Sequence, residues 1–209
     1  MSKIIKITLM DEENKCKCQC ECKEIMLDLE DYYLFEIDDI IKPYTPIFYK
    51  NYGFLTFIIK IYKNGLFTQK IDKLKINDQL YLSKVKGNLN EDILLKFKNI
   101  IYICGGSGIT PLFKLLDFYN NTKKYPDKIT ILNSNKTKED LIDFTIPSKL
   151  NIKIINIFTS FEKRIDEDKL LEIFENKKQL FILCGPDKMI SDLNSCIDKN
   201  FNNSTVINL

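Results

Sequence analysis

Histidine is absent from this 209-residue chain. Its absence excludes Ser-His-Asp and Cys-His catalysis and every His-ligated metal site. A strong charge of either sign is missing too. The formal net charge is +2, which gives no global pull toward an anionic membrane or nucleic acid, and no nucleic-acid partner is expected. No apolar run approaches the roughly 20 residues that a membrane helix needs. The opening Met1-Ser2-Lys3 lacks a signal-peptide core, and Ser2 is not the glycine that myristoylation requires. Membrane association is therefore expected only through a partner or an anchor outside this chain. Seven cysteines, an odd number with no secretion signal, point to a reducing compartment and a cytoplasmic location. Nothing here demands more than a monomer. With 44% hydrophobic and 29% charged residues, the composition is ordinary for a globular protein of one large domain or two small ones.

Two segments of the second half carry most of the information. One is Ile100-Ile101-Tyr102-Ile103-Cys104-Gly105-Gly106-Ser107-Gly108-Ile109-Thr110-Pro111. The other is Gln179-Leu180-Phe181-Ile182-Leu183-Cys184-Gly185-Pro186-Asp187-Lys188-Met189-Ile190. Each is an apolar run that reads as a buried strand, ends at a glycine turn and leads through a proline into a helical pattern. That arrangement suits a nucleotide at the carboxyl edge of a parallel sheet. Glycines let the backbone approach phosphate and base, and the following helix offers free N–H groups.

Residues up to about 89 read as short strands with regular turns (4–9, 33–37, 41–47, 54–62 and 79–82), broken at Asn51-Tyr52-Gly53, Asn64-Gly65 and Asn77-Asp78. This pattern suggests a small antiparallel barrel. From about residue 99 the rhythm is strand then helix. Strands are expected at 100–104, 128–132, 151–158, 180–184 and 205–209, and helices at 110–119, 166–174 and 188–197, with a short helix or turn at 138–144. This is a parallel sheet covered on both faces. Residues 84–98 are polar and charged and read as a linker.

Six motifs, in order, resemble those of the ferredoxin reductase-like flavoenzymes, most closely the NADH-cytochrome b5 reductase group. Lys42-Pro43-Tyr44-Thr45-Pro46 is similar to the flavin motif Arg-Pro-Tyr-Thr-Pro, and Phe57-Ile58-Ile59-Lys60-Ile61-Tyr62 to a Val-Ile-Lys-Val-Tyr strand. Gly65-Leu66-Phe67-Thr68, followed by 74–78, resembles the flavin pyrophosphate loop. Gly105-Gly106-Ser107-Gly108-Ile109-Thr110-Pro111 matches Gly-Gly-Thr-Gly-Ile-Thr-Pro with one change. Asn135-Lys136-Thr137-Lys138-Glu139-Asp140 follows Asn-Gln-Thr-Glu-Lys-Asp, and Cys184-Gly185-Pro186-Asp187-Lys188-Met189-Ile190 follows Cys-Gly-Pro-Pro-Pro-Met-Ile. The resemblance implies a two-domain β + α/β protein of ferredoxin reductase-like fold. An N-terminal antiparallel FAD-binding β-barrel (1–92) would precede a C-terminal parallel-sheet NAD(P)H-binding domain (98–209).

It also implies roles. Tyr44 lies against the isoalloxazine, Thr45 bonds the ribityl or phosphate region, and Lys42 neutralises the pyrophosphate together with backbone amides of 66–68. Pro43, Ile59, Tyr62, Gly65, Leu66, Phe67 and Thr68 complete the FAD contacts. Thr110 sits near flavin N5, Lys60 assists NADH binding and Cys184 lines the nicotinamide side, so these three are the catalytic candidates. Gly105, Gly106, Ser107, Gly108, Pro111, Gly185, Pro186 and Met189 are the remaining cofactor contacts. The activity implied is hydride transfer from NADH to FAD, a reaction the cofactors themselves carry and that needs no histidine, followed by single electrons to a small carrier protein such as cytochrome b5. Another iron or iron-sulfur acceptor, or a degenerate non-catalytic binding subunit, is the alternative. Lysines 42, 50, 63, 84 and 86 could steer an acidic carrier or simply be solvated.

Departures from the family pattern are few and specific. Lysine at 42 replaces arginine and loses its bidentate fork. The Arg-Gly-Pro after the barrel is replaced by Ser83-Lys84-Val85-Lys86-Gly87, and the stretch before Tyr33 is short. Thr159-Ser160-Phe161-Glu162-Lys163-Arg164 stands where the family often places an aspartate that rejects NADPH. There Ser160, Lys163 and Arg164 could accept a 2′-phosphate and Glu162 could repel it; the resemblance implies NADH, with NADPH as the alternative. Each motif also has a plain reading: a ligand-free turn at 105–108, a proline-bracketed strand at 42–46, a solvated Lys60, a buried small Cys184 and a helix N-cap at Thr110. Cys16, Cys18, Cys20 and Cys22 alternate on one strand face, either as a soft-metal or redox site or as the inward side of a barrel strand. The second is favoured, and no metal is expected.

Overall fold

The computed structural model describes residues 3–10, 24–52, 54–76 and 78–209. Cys16, Cys18, Cys20 and Cys22 lie outside the described residues, as do Gly53 and Asn77 of two expected turns. The strands are β1 (Lys3–Met10), β2 (Glu24–Met26), β3 (Asp31–Ile37), β4 (Ile40–Tyr44), β5 (Lys50–Tyr52), β6 (Phe54–Ile61), β7 (Tyr81–Lys86), β8 (Asn99–Gly105), β9 (Lys128–Asn135), β10 (Ile152–Phe158), β11 (Leu180–Cys184) and β12 (Thr205–Asn208). The helices are α1 (Leu66–Ile71), α2 (Glu91–Leu95), α3 (Thr110–Thr122), α4 (Glu167–Ile173) and α5 (Asp187–Asn200). They form two compact units: Met1–Gly87 with Thr110–Asn121, and Asn88–Ile109 with Thr122–Leu209.

The first unit holds three small antiparallel sheets: β1-β6, β2-β5 and β4-β3-β7. Alternate residues of β6 (Leu55, Phe57, Ile59 and Ile61) join Leu27, Phe35, Phe67 and Ile71 in one apolar core. Phe35 and Phe57 meet edge to face at 4.8 Å. The β3–β4 register is set by a two-residue hairpin, Asp38-Asp39, with φ of 47° and 60°. Positive φ at both positions is the type I′ geometry that matches strand twist, and aspartate tolerates it better than most side chains. That register puts Tyr44 opposite Tyr33 and Lys42 opposite Phe35.

The second unit is a five-stranded parallel sheet in the order β10-β9-β8-β11-β12. β8 is central, and residues 100–104 are fully buried, as the unbroken apolar run requires. On one face Ile101, Ile103, Leu132, Phe181 and Leu183 pack with Leu170 of α4 and Leu193, Ile197 and Phe201 at and beyond α5. From β8 the chain moves outward through β9 to β10, then returns to β11 on the other side of β8. The carboxyl ends of β8 and β11 therefore flank the switch point where open parallel sheets take ligands.

Residues 84–98 differ from the expected irregular linker. Their first part continues β7 against β3, because Lys84 and Lys86 find carboxylates there: Lys84 reaches Asp31 at 2.8 Å, and Lys86 reaches Glu30 and Asp28 at 3.0 and 3.2 Å. Their second part is α2, capped by Asn90, whose side-chain oxygen accepts from the Ile93 amide at 3.0 Å.

Candidate functional site

Within the first unit, β4, the end of β6 and α1 bring the expected flavin residues together. Tyr44 is half-buried. Its ring lies 4.8 Å from Phe35 and stacks on Phe67 of α1 at 6.0 Å and 24°. Burial first, then the neighbouring Tyr62, pushes its phenol up to a pKa of about 12, so it is a neutral hydrogen-bond donor at physiological pH. Lys42 lies two residues earlier on the same strand face and is exposed, as is Pro43, while Thr45 is partly buried. Lys60 is buried, with its ammonium 5.7 Å from the centre of the Tyr62 ring. Ile59 is wholly enclosed in the core beside Phe35 and Phe57, and supports the strand rather than presenting a side chain outward.

The turn before α1 is latched by Thr68. Its hydroxyl accepts from the Tyr62 amide at 3.1 Å and donates to the Gly65 carbonyl at 3.3 Å. A Cβ on Gly65 would come within 2.5 Å of that hydroxyl, so the turn demands glycine there. The latch leaves the amides of Leu66, Phe67 and Thr68 at the head of α1, and the Leu66 side chain is 76% exposed. A cation, a row of helix-head amides and a phenol beside stacked aromatics make a donor set that fits a diphosphate joined to a flat ring. The residues fit FAD. Thr110, 7% exposed, opens α3 in the same unit, followed by the partly buried Pro111.

In the second unit the two glycine turns interlock. A Cβ on Gly108 would lie 2.2 Å from the Cys184 carbonyl oxygen, and one on Gly185 would lie 2.5 Å from Met189 Cε and 3.1 Å from the Gly105 amide nitrogen. A Cβ on Gly105 would meet Pro186 and Met189 at 3.1 Å. Gly106 adopts φ of 58°, and Ser107 is partly buried in the same 3-10 turn. The Tyr102 hydroxyl ties that turn down by donating to the Gly108 carbonyl at 2.8 Å. The glycines are thus required by each other's backbones, which bring the ends of β8 and β11 into contact at the switch point.

Cys104 and Cys184 are register partners on β8 and β11. Burial pushes the Cys184 thiol up to about 11, against a smaller downward pull from the Tyr102 hydroxyl. Burial, with Cys184 beside it, raises Cys104 further. Both are protonated at neutral pH, so Cys184 is a small neutral thiol at the end of β11 rather than a nucleophile. Beyond them, Asn133 accepts from the Cys104 thiol at 3.6 Å and from the Asn135 amide at 2.8 Å, and donates to Asn156 at 3.3 Å.

The turn after β10 is organised around Glu162, which accepts from the Phe158 amide at 2.8 Å. Lys163 pairs with Asp166 at 2.5 Å. Glu162 thus closes its own turn, and Lys163, still exposed, pairs with the residue that caps α4. Ser160, Phe161 and Arg164 are exposed. The features missed from sequence are the Thr68 latch, the asparagine cluster and Lys114 of α3. Only Lys114 left a signal, as a lone cation in Leu112-Phe113-Lys114-Leu115-Leu116.

The family model described as Oxidoreductase FAD-binding domain matches residues 16–90, and the one described as Oxidoreductase NAD-binding domain matches residues 102–195. The chain belongs to the FAD- and NAD-binding oxidoreductases. It is 29% identical over 144 residues to cytochrome b5 reductase 4 of Homo sapiens, covering 64% of this chain and 26% of that protein. It is 29% identical over 175 residues to NADH-cytochrome b5 reductase 2 of Mycosarcoma maydis, covering 73% and 48%. The chain thus spans about a quarter to a half of the length of these curated relatives. The crystal structure of the cytochrome b5 reductase domain of Ulva prolifera nitrate reductase superposes with a TM-score of 0.71 at 17% identity, over 98% of this chain and 91% of that one. The family's fold is the ferredoxin reductase-like one expected from the motifs. Among the described residues no helix is long and apolar enough to cross a membrane.

Proposed function

We propose that the chain takes hydride from NADH onto FAD and passes electrons singly to a small carrier protein such as cytochrome b5. One observation carries the reading. The same chain holds a cation, a neutral phenol and a helix head gathered in one unit, and interlocked glycine turns at the switch point of a parallel sheet in the other. Bound FAD supplies the chemistry, accepting two electrons at once and releasing them one at a time. The protein binds and orients. Lys42 and the amides of Leu66, Phe67 and Thr68 would hold the diphosphate, Tyr44 would offer its hydroxyl to the ring system, and Thr110 would stand at the flavin's reactive side. Gly105, Gly106, Ser107, Gly108, Gly185, Pro186 and Met189 form the nicotinamide-side wall, with the uncharged Cys184 leaving room for the ring. Lys60 is a cation for the pyridine nucleotide. Such positioning is worth several orders of magnitude in rate without any acid or base.

The carrier reading narrows the charges available for steering. Lys84 and Lys86 are engaged by Asp31, Asp28 and Glu30, and Lys42 by the diphosphate, so docking of an acidic partner would fall to a cation such as Lys63, which is exposed. The test is an anaerobic visible spectrum of the protein with FAD, before and after NADH, followed by cytochrome b5 at rising salt. Bleaching by NADH and salt-sensitive reduction of the cytochrome are expected. Failure to retain FAD would overturn the enzyme reading, and salt-independent reduction would overturn electrostatic docking.

A further inference from the structure

Lys114 lies inside the first unit and is 1% exposed. A lysine so deep is rare unless its ammonium is fully occupied. Here it donates to two backbone carbonyls of the turn between β2 and β3: Asp28 at 2.5 Å and Asp31 at 2.8 Å. The same turn is braced from its other side. The Asp31 carboxylate, also buried, accepts from the Asp28 amide and from Lys84 of β7, both at 2.8 Å. Lys86 grips Asp28 and Glu30, and the Gly87 amide donates to the Glu30 carbonyl at 2.8 Å. Three lysines from two elements thus converge on the acidic turn Asp28-Leu29-Glu30-Asp31.

The partner of this clamp is a helix face. Lys114 lies four residues after Thr110, and Asp117 and Phe118 lie three and four after Lys114, so all four fall on one side of α3. Lower down that side, the Asp117 carboxylate accepts from the Tyr49 amide at 2.8 Å, and Phe118 meets the Tyr49 ring edge to face at 5.1 Å. The face that carries Thr110 is therefore the face fastened to the flavin unit. One of its fastenings is Lys114, one turn from the threonine.

We propose that Lys114 is a positioning residue: its ammonium clamps the first turns of α3 to the Asp28–Asp31 turn and so sets where the Thr110 hydroxyl stands. The inference rests on the reading of Thr110 as a flavin contact. Nothing in the chemistry requires Lys114 to touch a cofactor. Its part is to remove the freedom of the helix start, where a displacement of about an ångström is enough to cost a large factor in rate.

The test combines amide hydrogen exchange with flavin reduction in K114M, T110V and the double variant, all loaded with FAD. In the unmutated protein, residues 27–31 and 110–118 should exchange as one cooperative unit. Unrelated opening rates for the two segments would overturn the clamp, even if K114M failed to fold. K114M should speed exchange of both segments and slow flavin reduction by NADH roughly tenfold, with the KM for NADH changed less than about twofold. In the T110V background, K114M should slow reduction no further. An equal slowing in both backgrounds would overturn the proposal, because Lys114 would then act without Thr110. So would unchanged reduction in K114M when T110V is slow. If T110V itself reduces at the normal rate, the reading of Thr110 fails instead, and with it the purpose assigned to the clamp.

Discussion

Comparing the protein with K114M while pH rises from about 7.5 to about 10.5 isolates the proton on Lys114. Burial lowers its pKa from 10.5 to about 8. The carboxylate of Asp31 pulls the other way, and Lys84 adds to the lowering. The sign follows from where the proton sits. Below about pH 8 the lysine is charged in both the folded and the unfolded chain, and its contribution is flat. Between about 8 and 10.5 the folded protein releases the proton and the unfolded chain keeps it, so folding gains stability as pH rises. Each tenfold difference in proton affinity between the two states is worth about 1.4 kcal/mol, so the gain across the window is about 3 kcal/mol. Tyrosines and surface lysines titrate there too, but they do so equally in K114M and cancel in the difference. Urea midpoints of both proteins across this range read the effect directly. The stability gap should widen in favour of the unmutated protein, starting near pH 8. A gap constant within about 0.5 kcal/mol would refute the burial argument. A gap that is flat here and shrinks only above about pH 10.5 would mean that Asp31 outweighs burial and holds the ammonium charged.

G108A should destabilise the second unit by about 2–4 kcal/mol, because its Cβ would stand 2.2 Å from a backbone oxygen that no rotamer can move; thermal unfolding checks it. Cys184 should react with iodoacetamide at neutral pH roughly a hundredfold more slowly than an unperturbed thiol, as its pKa near 11 requires. Peptide mass spectrometry follows it, and rapid labelling would contradict the burial assigned here. Y44F should weaken FAD binding by about fivefold to tenfold through one lost hydrogen bond while the stacking on Phe67 survives, measured by flavin fluorescence on titration. E162A should change the ratio of NADH to NADPH efficiency by less than about threefold, since its carboxylate is turned onto the Phe158 amide. A larger swing would show that the charge faces the nucleotide.

The parts of the fold legible in sequence were those with one dominant signal. β8 and β11 are unbroken apolar runs because parallel strands are buried on both faces, and Gly108 and Gly185 mark their ends because the two turns touch backbone to backbone. α3 and α5 carried helical periodicity. By contrast, α1 was invisible as a helix. Six residues of Leu66–Ile71 hold no periodic pattern, and the helix owes its start to Thr68 reaching back to Tyr62 and Gly65. The end of β7 looked like solvated linker because Lys84 and Lys86 only make sense once Asp28, Glu30 and Asp31 are known to lie across the sheet. The local bonds of Glu162 and Lys163 were not legible, because short-range turn and cap geometry leaves no periodic signal in sequence.

The first unit is discontinuous in the chain: its helix, residues 110–121, comes after β8. A ribosome therefore finishes the strands of the first unit well before it supplies the piece that satisfies Asp28 and Asp31 from within. At about 5–20 residues per second, the nascent unit waits roughly 1–5 s for Lys114 to be made. Its completion waits until Asn88–Ile109, the first piece of the other unit, has been made, so the chain cannot finish its first unit before it has begun its second.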